Sequence, residues 1–172
     1  LVDVLGGTSL ATLGSPAYAA PVGDRIGVRY PAASGHGADV GALGLASGWY
    51  AAIFRISDPA LGTPAIVGRY NAAFNRCVEI YSQIGGVFWT IRVHDGTSVA
   101  SPSGTLNVGG GTWLAQIQID RAASLVRARM TQIGTGRAEQ IQASIAGFLT
   151  LDGVGLLYGF GAPNGTFTGG AT

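Results

Sequence analysis

Residues 111–130, GTWLAQIQIDRAASLVRARM, decide the fold. From Trp113 to Asp120 apolar and polar residues alternate, and successive side chains of a strand point to opposite faces. Trp113, Ala115, Ile117 and Ile119 therefore share an inward face, while Leu114, Gln116, Gln118 and Asp120 share the outward one. The short connection Arg121-Ala122-Ala123 leads into a second alternating run, Ser124 to Met130. That run sends Val126, Ala128 and Met130 inward and Leu125, Arg127 and Arg129 outward. Two alternating runs joined by so short a link read as an antiparallel hairpin with one buried face.

The pattern repeats outward in both directions. Upstream, CVEIYSQ (77–83) and VFWTIRV (87–93) flank Gly85-Gly86 and form a second hairpin. Its inward set is Val78, Ile80, Val87, Trp89, Ile91 and Val93; Glu79, Tyr81, Gln83, Phe88, Thr90 and Arg92 face out. Ile26–Tyr30, Trp49–Ile56 and Pro64–Tyr70 precede it as further strands, and Val154–Phe160 is the last. Pro31–Ser47 and Asp95–Gly111 read as loops, and Gly134–Gly136 as a turn. Arg137–Ala146 stays open between helix and strand, since Ile141 and Ile145 suit a helical turn while the composition also suits a strand. Short strands separated by turn residues every ten or so positions are the signature of a sandwich or barrel. The fold class is all-β, an antiparallel β-sandwich. Residues 1–25 read as an N-terminal arm or extra edge strand and 26–172 as the sandwich.

Composition removes several function classes. At 172 residues the chain is 47% hydrophobic but only 11% charged, with a mean hydropathy of +0.34, against about 25% charged in an ordinary soluble domain. Such a chain is too apolar and too weakly charged for intrinsic disorder. The net charge is +1 and every basic residue is arginine, spread without a cluster, so no nucleic-acid footprint exists. One cysteine, Cys77, excludes an intrachain disulfide framework, and two histidines make a zinc site of His and Cys unsupported. The uncharged stretches Val40–Phe54 and Gly153–Thr172 are broken by Gly, Ser, Thr and Pro, so no span of ~20 apolar residues predicts membrane insertion. The start lacks a basic n-region and predicts no signal peptide.

The order of these motifs resembles the concanavalin A-like jelly roll, particularly its laminin G-like branch. WYAAIFRI (49–56) looks like the early aromatic strand of that family and PAIVGRY (64–70) like the short strand after it. CVEIYSQIGGVFWTIRV (77–93) matches its hairpin of alternating runs. GTWLAQIQIDRAASLVRARM matches its best-marked stretch, and VGLLYGFGAPNGTFTGG (154–170) its late strand with a Phe-x-Gly segment. The family's next strand has no counterpart before Thr172, which the resemblance reads as truncation or as an edge completed by another chain through strand addition.

Function must come from sites rather than from the fold. Glycan hydrolysis needs two flanking carboxylates, yet the two glutamates, Glu79 and Glu139, have no acidic neighbour at i+2 or i+4. No nucleophilic triad is legible, and the glycine runs fall between strands rather than before a helix. The resemblance implies calcium at a sandwich rim. Asp58, Asp95 and Asp120, each at a strand end, are the candidates beside their ordinary role as turn formers. The outward residues Tyr81, Thr90, Arg92, Gln116, Gln118, Arg127 and Arg129 suit a glycan-binding patch if their strands share a sheet. Against that stands a plain solvated face, with Arg127 and Arg129 paired to Glu79 or Asp120. Trp89, Trp113 and Phe54 read as core.

Thin charge and the missing chemistry predict a non-enzymatic structural or adhesion module of a larger assembly, homo-oligomeric or built with other subunits. A phage head, tail or fibre, or a bacterial surface appendage, fits, with virion or extracellular localisation and a glycan-binding face. The alternative is a freestanding lectin-like domain.

Overall fold

The computed structural model describes residues 11–13, 17–22, 25–29, 37–39, 48–54, 65–70, 77–82, 88–149 and 156–161. These contain thirteen strands and no helix. In chain order they are β1 (Ala11–Leu13), β2 (Ala17–Val22), β3 (Arg25–Arg29), β4 (Gly37–Asp39), β5 (Gly48–Phe54), β6 (Ala65–Tyr70), β7 (Cys77–Ser82), β8 (Trp89–His94), β9 (Val99–Ala100), β10 (Trp113–Asp120), β11 (Leu125–Gln132), β12 (Ala138–Ser144) and β13 (Leu156–Gly161). A seven-stranded sheet runs β1-β4-β13-β6-β7-β8-β9, a four-stranded sheet runs β12-β11-β10-β5, and β2 pairs with β3 as a separate ribbon. Every pairing is antiparallel. The protein is an antiparallel β-sandwich.

Both expected hairpins form, with Trp113 opposite Gln132 through Asp120 opposite Leu125, and Cys77 opposite His94 through Ser82 opposite Trp89. The β10–β11 link closes with Ser124 in the left-handed region at φ 55°. Asp120 Oδ1 accepts the Ala123 N–H at 2.9 Å, which holds the turn. The β11–β12 turn uses Gly134 and Gly136 at φ 91° and 72°, values that a side chain would strain.

The segment left open between helix and strand is strand β12. Ile141 and Ile145 sit four residues apart, and positions i and i+4 share a face in either structure, so these two residues could not separate the readings. Pairing with β11 decides it: Ala143, opposite Val126, is buried, and Ile141 and Ile145 pack on the core. Two short strands fall inside stretches that read as loops. Gly37–Asp39 pairs with β1 and touches β13 at Leu157, and Val99–Ala100 pairs with His94 and Val93. Neighbouring backbone, rather than side-chain propensity, makes these strands.

The core lies between the two sheets. Val78, Ile80, Trp89, Ile91 and Val93 meet Trp113, Ala115, Ile117, Ile119, Val126, Ala128 and Met130. Full burial of such side chains is worth roughly 1.5–3 kcal/mol each. The segment between β9 and β10 closes one side. Its backbone bonds β8 through Ile91 N–H to Pro102 O at 3.1 Å and Gly104 N–H to Trp89 O at 2.8 Å, and it adds Leu106 and Val108 to the core. Glu139 on β12 ties this closure down. Its carboxylate accepts the Trp89 indole N–H at 2.8 Å, the Thr105 N–H at 2.9 Å and the Leu106 N–H at 3.0 Å. Gly104 fits because a Cβ there would collide with Trp89 Nε1 and Glu139 Oε2.

Candidate functional site

Alternation along β10 and β11 leaves the outer face of the four-stranded sheet polar. In the ladder Gln116 stands opposite Arg129, which stands opposite Gln140, and Ala51 of β5 completes that row. The next row reads Trp49, Gln118, Arg127 and Gln142 by register. Together Gln116, Gln118, Arg127, Ala128, Arg129 and Gln140 line an open concavity of about 250 Å³. On its other side Ile53 of β5 stands opposite Leu114 and is 46% exposed, giving the polar groove an apolar shoulder.

The two arginines of the groove differ. Arg127 Nη1 pairs with Asp120 Oδ2 at 3.3 Å and donates to Gln118 Oε1 at 3.4 Å. The Ala123 N–H, together with the Arg127 guanidinium, holds the Asp120 carboxyl below the usual aspartate range. Arg129 donates only through Nε, to Thr131 Oγ1 at 3.4 Å. Among the described residues no carboxylate pairs with it, and its two Nη groups face no partner. The groove therefore offers one neutralised cation, one available planar cation and three amides.

The structure divides the seven outward residues expected to form a patch. Gln116, Gln118, Arg127 and Arg129 come together; Tyr81, Thr90 and Arg92 lie on β7 and β8 of the other sheet. There they cluster with Glu79 and Ser103, Thr90 buried and Tyr81 and Arg92 half-buried. Thr90 is 1% exposed and its hydroxyl shares a 2.8 Å hydrogen bond with that of Ser103. Arg92 forms an ion pair with Glu79 and stands over the Tyr81 ring at 5.6 Å. Glu79, expected outside, is fully buried. Burial on both faces of β7 is the reason, since alternation separates inside from solvent only where one face is wet. Burial pushes the Cys77 thiol up to about 12, with the Glu79 charge adding to it, and burial likewise raises the Tyr81 hydroxyl. Arg127 and Arg129 pair with nothing on Glu79, while the Arg127–Asp120 pair forms.

Of the aspartates at strand ends, Asp58 lies outside the described residues. Asp95 spends its carboxylate on backbone: Oδ1 accepts the Thr97 and Ser98 N–H groups at 2.8 and 2.6 Å, and Oδ2 the Leu149 N–H at 2.6 Å. Asp120 serves the β10–β11 turn and Arg127. Among the described residues no three His, Cys, Asp or Glu side chains converge as metal ligands. Sequence reading missed Gln140, because its segment had no assigned period. Once read as a strand, residues 138–144 place Gln140 and Gln142 opposite Arg129 and Arg127.

No family model matches the chain, and no curated protein matches its sequence. Solved structures share its fold. Full-length tailspike protein 2 of an Escherichia coli O157:H7 bacteriophage matches with a TM-score of 0.67 at 15% identity, over 90% of this chain and 23% of the tailspike. The CBM2 module of the evolved Dit of Lactobacillus casei BL23 phage J-1 matches at 0.53 and 12% identity, over 92% of this chain and 73% of that one. The Ruminococcus gnavus IT-sialidase CBM40 bound to α2,3 sialyllactose matches at 0.53 and 10% identity, over 77% and 83%. This chain thus spans under a quarter of the tailspike, and at these identities the likeness is one of β-sandwich fold.

Proposed function

We propose that the protein is a non-catalytic, glycan-binding adhesion module of the concanavalin A-like, laminin G-like type, working as part of a larger assembly such as a phage tail, fibre or surface appendage. The observation that carries this reading is the groove on the four-stranded sheet, where four polar residues of β10 and β11 and Gln140 of β12 line one concavity. Planar guanidinium and amide groups match the hydroxyls of a sugar. The described residues of the lining include no carboxylate, and the two glutamates of the chain are bound elsewhere, Glu79 to Arg92 and Glu139 to the β9–β10 closure. Binding rather than hydrolysis suits such a groove. A phage tailspike and a phage Dit module among the structural neighbours support a virion or cell-surface setting, and so does the thin charge, because a subunit buried in a particle needs less of it than a free monomer.

A glycan array at moderate salt, run with and without EDTA, tests the binding half. Retention of a defined glycan class is expected, unchanged by EDTA because Asp95 and Asp120 spend their oxygens on N–H donors and Arg127; retention of none overturns it. Light scattering across a concentration series tests the assembly half. A stable trimer or larger species agrees with a particle component, and a clean monomer overturns that half in favour of a freestanding lectin-like domain.

A further inference from the structure

From the two unlike arginines of the groove we infer that it selects saccharides bearing a carboxylate, with Arg129 as the anion-recognising residue; the inference rests on the glycan-binding reading above. Arg127 is already neutralised by Asp120 and shared with Gln118. Arg129 is exposed, is anchored at Nε by Thr131 at 3.4 Å, and turns two Nη groups toward no described partner. An arginine fixed at Nε presents its end-on fork, whose two parallel N–H groups match the two coplanar oxygens of a carboxylate.

The surroundings extend that match to a sugar. Gln116 and Gln140 stand directly opposite Arg129 on the two neighbouring strands, so the fork is flanked on both sides by amides that can donate and accept. Hydroxyls next to an acidic group are recognised by such pairs. With Asp120 committed to Arg127, no carboxylate among the described lining residues repels an anion. One available guanidinium, rather than a field of cations, suits a ring carrying a single negative charge. Ile53 and Leu114, one row beyond, offer apolar contact to the ring's C–H face.

The test is a binding panel on the whole protein. It comprises polygalacturonate, alginate, hyaluronan and polysialic acid as carboxylated probes, dextran, galactan and mannan as neutral ones, and dextran sulfate as a sulfated one. Retention of carboxylated probes over neutral ones is expected. Arg129→Gln should weaken it by about tenfold to a hundredfold, the range for losing charge-assisted hydrogen bonds, and Arg129→Lys should restore it only in part. Because Arg129 is exposed, both variants should melt as the parent does, which keeps a loss of binding from being a loss of fold. Retention of neutral probes alone overturns the inference and leaves the glycan-binding reading intact, whereas retention of no probe overturns both. Carboxylate binding indifferent to Arg129→Gln, or dextran sulfate held as tightly with the same dependence on Arg129, overturns the assignment of the fork to a carboxylate.

Discussion

Glu139→Ala is the sharpest probe of how the sandwich is closed. The carboxylate serves four donors: the Trp89 indole, the Thr105 and Leu106 amides, and the Thr105 hydroxyl at 2.9 Å. Thr105 is exposed, so water replaces the carboxylate for its two groups at little cost. Trp89 is 0% and Leu106 8% exposed, so their N–H groups lose their acceptor where water is scarce. A buried donor left without a partner costs about 1–3 kcal/mol, so two of them place the loss near 4 kcal/mol. For a chain of this size that is a fall in melting temperature of about 8–16 °C. Glu139→Gln keeps one acceptor oxygen but turns an NH2 toward an N–H donor, and about half that loss is expected. Urea unfolding followed by tryptophan fluorescence and by circular dichroism reads both variants. A cycle with Trp89→Phe isolates the indole bond, and a coupling of about 1–3 kcal/mol is expected from contacting groups. Acidification should echo the mutation. Burial raises the Glu139 pKa, but the N–H groups of Thr105, Leu106 and Trp89 outweigh burial and hold it below the ordinary value. A depressed carboxyl stabilises the fold above its unfolded pKa, and that contribution disappears as pH falls through the folded value. A loss under about 1 kcal/mol for Glu139→Ala, with no coupling to Trp89, would refute the latch.

Four further outcomes are expected. Trp113→Ala removes a side chain 1% exposed that also donates its indole N–H to Gly110 O at 2.8 Å; denaturant titration should show a loss of about 3–5 kcal/mol, and one below about 1 kcal/mol would place the ring outside the core. Gly104→Ala drives a methyl into Trp89 Nε1 and Glu139 Oε2 and should lower the melting temperature while Gly110→Ala, open on all sides but at φ 74°, costs less; calorimetry that reverses this order contradicts the closure. Cys77, buried and with its thiol pushed up to about 12, should ignore Ellman's reagent at pH 8 until urea unfolds the chain; fast native labelling would show the cluster open. Asp95→Ala should raise the hydrogen-exchange rate of the Leu149 amide and lower the melting temperature. The Asp95 carboxyl is held below its usual value by the Ser98 N–H, then those of Thr97 and Leu149, so its contribution is present above the ordinary aspartate range and should vanish as pH falls below it. A pH-independent difference between parent and Asp95→Ala would contradict that.

Legibility followed the wetting of each sheet. On β10 and β11 one face is core and the other is open, so the alternation of 113–130 names both faces correctly, Trp113 to Ile119 inside and Gln116 to Arg129 outside. On β7 the same reasoning places Glu79 in solvent, yet both faces are buried and an ion pair with Arg92 compensates the charge. Alternation carries no information about a strand's second face once that face is covered, and only the pairing of strands reveals which faces are covered. A related limit hid Gln140: residues 137–146 have a single strongly apolar pair, Ile141 and Ile145, spaced so that helix and strand predict one face alike.

The contrast between the sheets bears on where a ligand can act. On β7 and β8 polar side chains pair with one another, Glu79 with Arg92 and Thr90 with Ser103, and a ligand that drew Arg92 away would leave the buried Glu79 carboxylate uncompensated. A partner docking there would have to replace those interactions before gaining any. On β10, β11 and β12 Arg127 is satisfied by Asp120, but Arg129, Gln116 and Gln140 keep donors and acceptors that no described side chain takes. Polar groups open to solvent exchange water for a ligand's hydroxyls and carboxylate without breaking a protein contact. The binding proposed above would therefore displace fewer contacts among the described residues at the row centred on Arg129 than on β7 and β8.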